Sequence, residues 1–279
     1  MKKTIGSYLN MRAPNKENLI FLHLPKNGGM TFNRLLDRLY SKDRVFQIRV
    51  KSNSELTTQE FIDLPECERA KIDVLKGHMY YGLHKHMTGD SKYITFLRHP
   101  EKRLLSFYNF VKARPSHRLY NTITKNNMSF HDFVENIEAS DVNNAQVRLI
   151  SGLKHGDPNT MLETAMLNIN EHFSFVGLQE NYNESLVLLK IKYGWGIPYY
   201  HYKNKTKSEH AVKTINEKTR ALIATKNAAD IALYNYYKKE LTEKLKSEKS
   251  LKKELLKLNF ANKLTQSVWG RRALKLLKV

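Results

Sequence analysis

Cysteine is nearly missing from this chain. Cys67 stands alone among 279 residues, so no internal disulfide can form, and cysteine usage gives no sign of an oxidising compartment. Long apolar runs are missing as well. No stretch approaches the about 20 residues of a membrane span, and the N-terminal Met1-Lys2-Lys3-Thr4-Ile5-Gly6-Ser7 lacks the apolar segment of a signal peptide. The expectation from these lacks is a cytoplasmic protein. Acidic residues are scarce: 27 Asp and Glu face 47 Lys and Arg, a formal net charge of +20. A surface so basic favours an anionic partner, whether nucleic acid, anionic lipid, a sulfated or carboxylated glycan, or a nucleotide with several phosphates. Charge alone does not choose among them.

What is present is a globular composition. Hydrophobic residues make up 41%, which argues against disorder, and the length suffices for one sizeable α/β domain or two small ones. Asn18 to Leu24 is an almost continuous apolar run ended by Pro25, the pattern of a strand buried on both faces. Gly28-Gly29 follows, then a helical spacing of Met30, Phe32, Leu35, Leu36 and Leu39. Val45 to Val50, Asp73 to Gly77, Tyr93 to Leu97 and Phe173 to Gly177 read as further strands. Pro100 marks a helix start. Helices are predicted over 129–137, 160–169, 184–192 and 214–246, and a loop over 199–209. Strands alternating with helices predict an α/β fold with a central, mainly parallel sheet flanked by helices in three layers. Residues 1–246 form the predicted main domain.

Residues 247–279 form a predicted basic amphipathic helical tail. From Lys238 to Val279 there are thirteen Lys and Arg against four Glu, a net of +9 (13 − 4). Leu251, Leu255, Leu256, Leu258, Phe260, Leu264, Val268, Trp269, Leu274, Leu276 and Leu277 give it an apolar stripe. Such a helix suits either peripheral contact with an anionic membrane surface, or packing on the body of the protein.

The turn Leu24-Pro25-Lys26-Asn27-Gly28-Gly29-Met30-Thr31-Phe32 lies between the first strand and the first helix, where parallel sheets bind ligands. Two glycines let the backbone approach an anion, and the helix N-terminus offers free N–H groups and partial positive charge. This is not the Walker A pattern, because Lys26 precedes the glycines. A nucleotide phosphotransferase is therefore disfavoured, and the sequence shows no acidic Mg²⁺ ligand in place for one. The basic residues are dispersed and form no zinc finger or RNA-recognition pattern, which disfavours nucleic acid as partner.

A second segment, Phe96-Leu97-Arg98-His99-Pro100-Glu101-Lys102-Arg103-Leu104-Leu105-Ser106-Phe107-Tyr108, makes the pattern specific. The first turn resembles the 5′-phosphosulfate loop of carbohydrate sulfotransferases that use 3′-phosphoadenosine 5′-phosphosulfate (PAPS). The second segment resembles their 3′-phosphate-binding strand, turn and helix, with His99 where the family often has Asp. The similarity is strongest to the heparan sulfate 2-O-sulfotransferase group. Looser resemblances are Lys76-Gly77-His78 to the catalytic histidine region, 142–152 to a mid-chain segment, 173–180 to a later strand, and 204–210 to a loop that closes over the nucleotide. Unlike Golgi members, this chain shows neither membrane anchor nor disulfides.

The resemblance implies a P-loop-like fold, PAPS as donor, 3′-phosphoadenosine 5′-phosphate (PAP) as product, a carbohydrate acceptor of anionic character, and no metal. Lys26, Asn27, Gly28, Gly29, Met30, Thr31 and Phe32 would hold the 5′-phosphosulfate, with Lys26 meeting charge on the departing oxygen. Arg98 and Ser106 would hold the 3′-phosphate, and Lys205, Lys207 and Ser208 would close over the nucleotide. An acceptor hydroxyl needs a base, and histidine titrates near neutrality. The residues alone leave His23, His78, His84, His86 and His99 open; the resemblance selects His78. Arg114, His117, Asn144, Gln146 and Arg148 are candidate acceptor contacts.

Overall fold

In a computed structural model the described residues are 17–51, 55–201, 212 and 214–267. Among them a five-stranded, wholly parallel sheet forms the centre: β1 (Asn18–Leu22), β2 (Val45–Ile48), β3 (Val74–Gly77), β4 (Ser91–Leu97) and β5 (Phe173–Leu178), in the order β2-β3-β1-β4-β5. The apolar run of β1 takes the middle position because it is buried on both faces, with Leu19 to Leu22 all at 2% exposure or less. The helices are α1 (Gly29–Leu39), α2 (Thr58–Ile62), α3 (Glu66–Arg69), α4 (Pro100–Lys112), α5 (Tyr120–Lys125), α6 (Phe130–Asn136), α7 (Ala145–Ser151), α8 (Pro158–His172), α9 (Tyr182–Tyr193), α10 (Glu217–Lys226), α11 (Ala228–Ser247) and α12 (Leu251–Leu264). The architecture is the expected α/β one, a parallel sheet flanked by helices.

The strand order positions the site. From β1 the chain leaves through α1 toward β2 on one side of the sheet, and from β4 it proceeds to β5 on the other. The loops after β1 and β4 therefore diverge and leave a crevice at their carboxyl ends, the place where open parallel sheets bind ligands. A second, smaller core forms around α4, the helix that follows β4. Leu104, Phe107, Tyr108 and Val111 of α4 pack with Ile123, Phe130, Phe133, Val134 and Ile223 from α5, α6 and α10.

Several elements differ from expectation. The stretch 214–246 is two helices, not one, because Asn227 interrupts it with φ −126°. Asn227 is fully buried, and its Oδ1 accepts the backbone N–H of Asn144 at 3.0 Å. The predicted strand at 45–50 ends at Ile48; Val50 makes only an isolated bridge to Leu56. α12 packs against α9: Glu254 bonds Lys190 at 2.6 Å, and Asn183 donates to Asn259 at 3.0 Å. Of the predicted tail stripe, Leu258 is buried, whereas Leu256 and Phe260 point outward. No helix of the described residues is long and apolar enough to cross a membrane.

Candidate functional site

β1 delivers His23, then a tight turn, to the crevice. Lys26 has φ +70° and Gly28 φ +83°, so the chain makes two left-handed steps before α1 begins. At Gly28 the constraint is double. The conformation disfavours a side chain, and a Cβ would lie 1.8 Å from Gln179 Oε1. At Gly29 a Cβ would lie 1.9 Å from the ring of His23. The glycines thus let α1 start directly over His23, with its first N–H groups at the crevice. The Thr31 N–H is turned back to Gly28 O at 3.1 Å. Phe32 is fully buried and Met30 half exposed, so any contact from Phe32 comes from its backbone.

One polar relay fixes this turn to β4. Asn27 is 1% exposed, and its Nδ2 donates to Phe96 O at 2.7 Å and Gln146 Oε1 at 2.8 Å. Gln146 Oε1 also accepts the Arg98 N–H at 3.0 Å, and its Nε2 donates to Arg98 O at 2.9 Å. Arg98 Nη1 donates to Lys26 O at 2.9 Å. Arg98 Nε is buried with no hydrogen-bond partner among the described residues. A buried guanidinium with an unmet donor carries a desolvation cost that a hydrogen-bond acceptor at the glycine turn would offset.

Two positively charged side chains lie against the ring of Phe110. Lys26 Nζ lies 3.9 Å and Arg114 Cζ 4.4 Å from its ring centroid. Ser106 is four residues before Phe110 on α4, hence on the same helix face as this pair. Burial, reinforced by the charges of Arg98 and Arg114, lowers the Lys26 ammonium to about 8. His117 packs edge-on against Phe107 and Phe110. Its pKa is lowered, first by burial and then by Arg118. Lys26 thereby connects the two ends of α4: its carbonyl is held by Arg98, just before the helix, and its ammonium reaches Phe110 and Arg114 near the helix C-terminus.

His78 follows β3 into the same crevice. Its Nδ1 is 2.8 Å from His23 O. A carbonyl only accepts, so Nδ1 carries the proton and Nε2 keeps its lone pair in the neutral ring. The His78 ring stacks on His23 at 4.2 Å. Burial lowers the His78 pKa, opposed by the His23 carbonyl bond and the Asp141 carboxylate. His23 is 6% exposed and lowered further, by burial and then by His78 and Lys26. His78 is thus held neutral at physiological pH and oriented through Nδ1. His84 is placed elsewhere: its Nδ1 meets Tyr93 OH near the opposite end of β4, and its ring packs at a tilt against that of His172. His99 packs edge-on against Tyr234.

Two candidate acceptor contacts need correction. Asn144 and Gln146 are buried, and their side-chain partners lie inside the protein. Arg148 Nη1 donates to Lys154 O at 2.7 Å. These residues hold the loops around α7, while Arg114 and His117 border the crevice. Lys205, Lys207 and Ser208 lie outside the described residues.

Sequence reasoning missed four side chains here. Phe110 carries Lys26. Arg103, 1% exposed within α4, donates from Nη1 to Asp141 O at 2.9 Å. Asp230, fully buried on α11, accepts the first N–H groups of α7 from Gln146 at 3.1 Å and Val147 at 2.8 Å. Glu180, after β5, accepts the His99 N–H at 3.3 Å. The segment 173–180 flagged the last; for Asp230 no local signal exists.

A model of the sulfotransferase family matches residues 10–237, from before β1 into α11. The chain belongs to this family. Its turn after β1, Arg98 and His78 all lie within the match, and α12 lies beyond it. No curated protein sequence matches this family member significantly. Among solved structures, mouse sulfotransferase SULT7A1 in complex with PAP is 13% identical at a TM-score of 0.40, covering 76% of this chain and 63% of the mouse chain. A sulfotransferase from Alicyclobacillus acidocaldarius is 13% identical at 0.42, covering 78% of this chain and 94% of its own. The sulfotransferase-family chain thus spans less than two thirds of the mouse protein's length.

Proposed function

We propose that the protein transfers a sulfuryl group from PAPS to a hydroxyl of an anionic carbohydrate. The observation that carries this reading is the buried, unpartnered Nε of Arg98, whose Nη1 is tied to the carbonyl of Lys26 in the glycine turn. PAPS fits the donor set. The turn from Lys26 to Phe32 would face its 5′-phosphosulfate, and Arg98 with Ser106 its 3′-phosphate. Bound there, PAPS would supply an activated sulfuryl group with a nucleotide phosphate as leaving group. PAP, the molecule in complex with the mouse sulfotransferase, is what PAPS becomes once that group has left.

The chain's own residues account for the rest. His78 Nε2 takes the proton of the acceptor hydroxyl as its oxygen bonds to sulfur. His23 O keeps the His78 ring in the tautomer that can do so. Lys26, protonated below about 8, meets the charge that gathers on the departing oxygen. Arg114 and His117 border the acceptor side, and Arg114 with Lys26 favours a negatively charged glycan. The carbohydrate class rests on the resemblance to the heparan sulfate 2-O-sulfotransferase group. Nothing in this scheme requires a metal ion.

Calorimetric titration with PAP, ADP and AMP in EDTA tests the donor. Binding that requires the 3′-phosphate and is lost in Arg98→Ala supports the proposal. Equal affinity for ADP that returns only with Mg²⁺ overturns it in favour of phosphoryl transfer.

A further inference from the structure

α12 carries an outward face that the sheet and the crevice do not use. Its side toward the body buries Glu254, Leu258, Ala261 and Asn262 against α9 and the segment at Tyr200. On the opposite side Leu256 is 65% and Phe260 66% exposed, one helical turn apart. At about 100° per residue this pair occupies the middle of the exposed arc, with Lys252 and Lys263 on one flank and Lys253 and Lys257 on the other. All four lysines are exposed. The single acid of the helix, Glu254, is turned inward and bridged by Lys190 and Lys257, at 2.6 Å each. The outward face is therefore apolar at its centre and only positive at its edges.

We propose that this face of α12 docks on an anionic lipid surface, lying in the plane of the interface. Leu256 and Phe260 insert at the headgroup boundary, and the flanking lysines reach lipid phosphates along their aliphatic stems. Charge decides against the other occupants. A second copy of the chain, paired through a two-fold axis, would set these lysines against each other. The chain's own residues 268–279 hold Arg271, Arg272, Lys275 and Lys278 and no acid, so they bring no charge that complements the lysines. A nucleic acid would satisfy the lysines but strand the apolar pair in water. The inference is independent of the catalytic proposal.

Sedimentation of the full chain with vesicles tests it, using phosphatidylglycerol–phosphatidylcholine mixtures against phosphatidylcholine alone. The expected result is binding to the anionic vesicles that weakens with salt and falls by about tenfold or more in the double variant Leu256→Glu, Phe260→Glu. Lys252→Glu with Lys253→Glu should remove most of the salt-sensitive part. Because these side chains are exposed, far-UV circular dichroism and thermal midpoint should match the parent in both variants. Undiminished binding by the Leu256/Phe260 variant overturns the proposal. So does equal binding to neutral vesicles, or a parent dimer in analytical ultracentrifugation that this variant dissolves, which would assign the face to a second copy.

Discussion

The two residues that carry the proposed chemistry titrate in opposite senses. His78 works only as the neutral ring, so its contribution grows as pH rises through its pKa, which burial holds below the ordinary histidine value of about 6.5. Lys26 works only as the cation, so its contribution is lost as pH rises through about 8. The profile of kcat/KM should therefore be a bell whose acid limb lies below the usual histidine range and whose alkaline limb lies near 8. An anionic donor in the turn stabilises the Lys26 cation, so the alkaline limb of kcat should lie higher than that of kcat/KM. Lys26→Arg, which keeps its charge, should erase the limb near 8; its persistence there would assign that ionisation to another group. His78→Ala should keep PAP affinity within about twofold while lowering kcat by about 10² or more. Full turnover by that variant would remove His78 from the reaction. Gly29→Ala forces a Cβ into the His23 ring. It should displace the stack that orients His78 and so reduce kcat more than donor affinity.

At the scale of elements, the site depends on how loops are tied together. Gln146 at the start of α7 reaches Asn27 of the β1 turn and the backbone of Arg98 after β4. Asp230 of α11 in turn receives the N–H groups that open α7. Gln146→Leu leaves the Asn27 amide and the Arg98 N–H without their shared acceptor inside the protein, at about 1–3 kcal/mol for an unsatisfied buried group. Denaturant unfolding should show that loss, and PAP binding should weaken because the turn and Arg98 no longer move as one. A variant as stable as the parent with normal PAP affinity would refute this coupling.

The same network explains what the sequence makes visible and what it hides. The strands are legible because β1, β4 and β5 are apolar runs bounded by turn residues, and a buried parallel strand needs little more. The β1 turn is legible because Lys26, Gly28 and Gly29 occur together at a strand-to-helix junction. α7 is not, since it spans only Ala145–Ser151, begins at Asn144 with φ +45°, and is capped by Asp230 from 84 residues away. The break at Asn227 is hidden for the same reason: the buried side chain there accepts the backbone N–H of Asn144, 83 residues away in sequence. Gln146 stands out in the sequence as a polar residue of the right segment, but its role as a buried tie is set by three loops that meet only in the folded chain.

For the molecule as a whole, the question is whether the +20 charge acts globally or locally. At about 0.1 M ionic strength the screening length is about 10 Å, so an approaching anionic acceptor responds chiefly to the nearest charges. Lys26 and Arg114 stand together on Phe110 at the crevice, whereas the exposed lysines of α12 belong to a helix packed on α9. Lys252→Glu with Lys253→Glu lowers the formal charge from +20 to +16 (20 − 4). If the field is local, this pair should leave the rise of acceptor KM with salt unchanged. Arg114→Ala, which removes one charge, should flatten that rise while changing kcat little, because the proposed scheme has Arg114 guide the acceptor and leaves its proton to His78. The measurement is KM for one anionic glycan at several salt concentrations in the three proteins. An α12 variant with the flatter slope would mean that net charge, and not the crevice, draws the acceptor in.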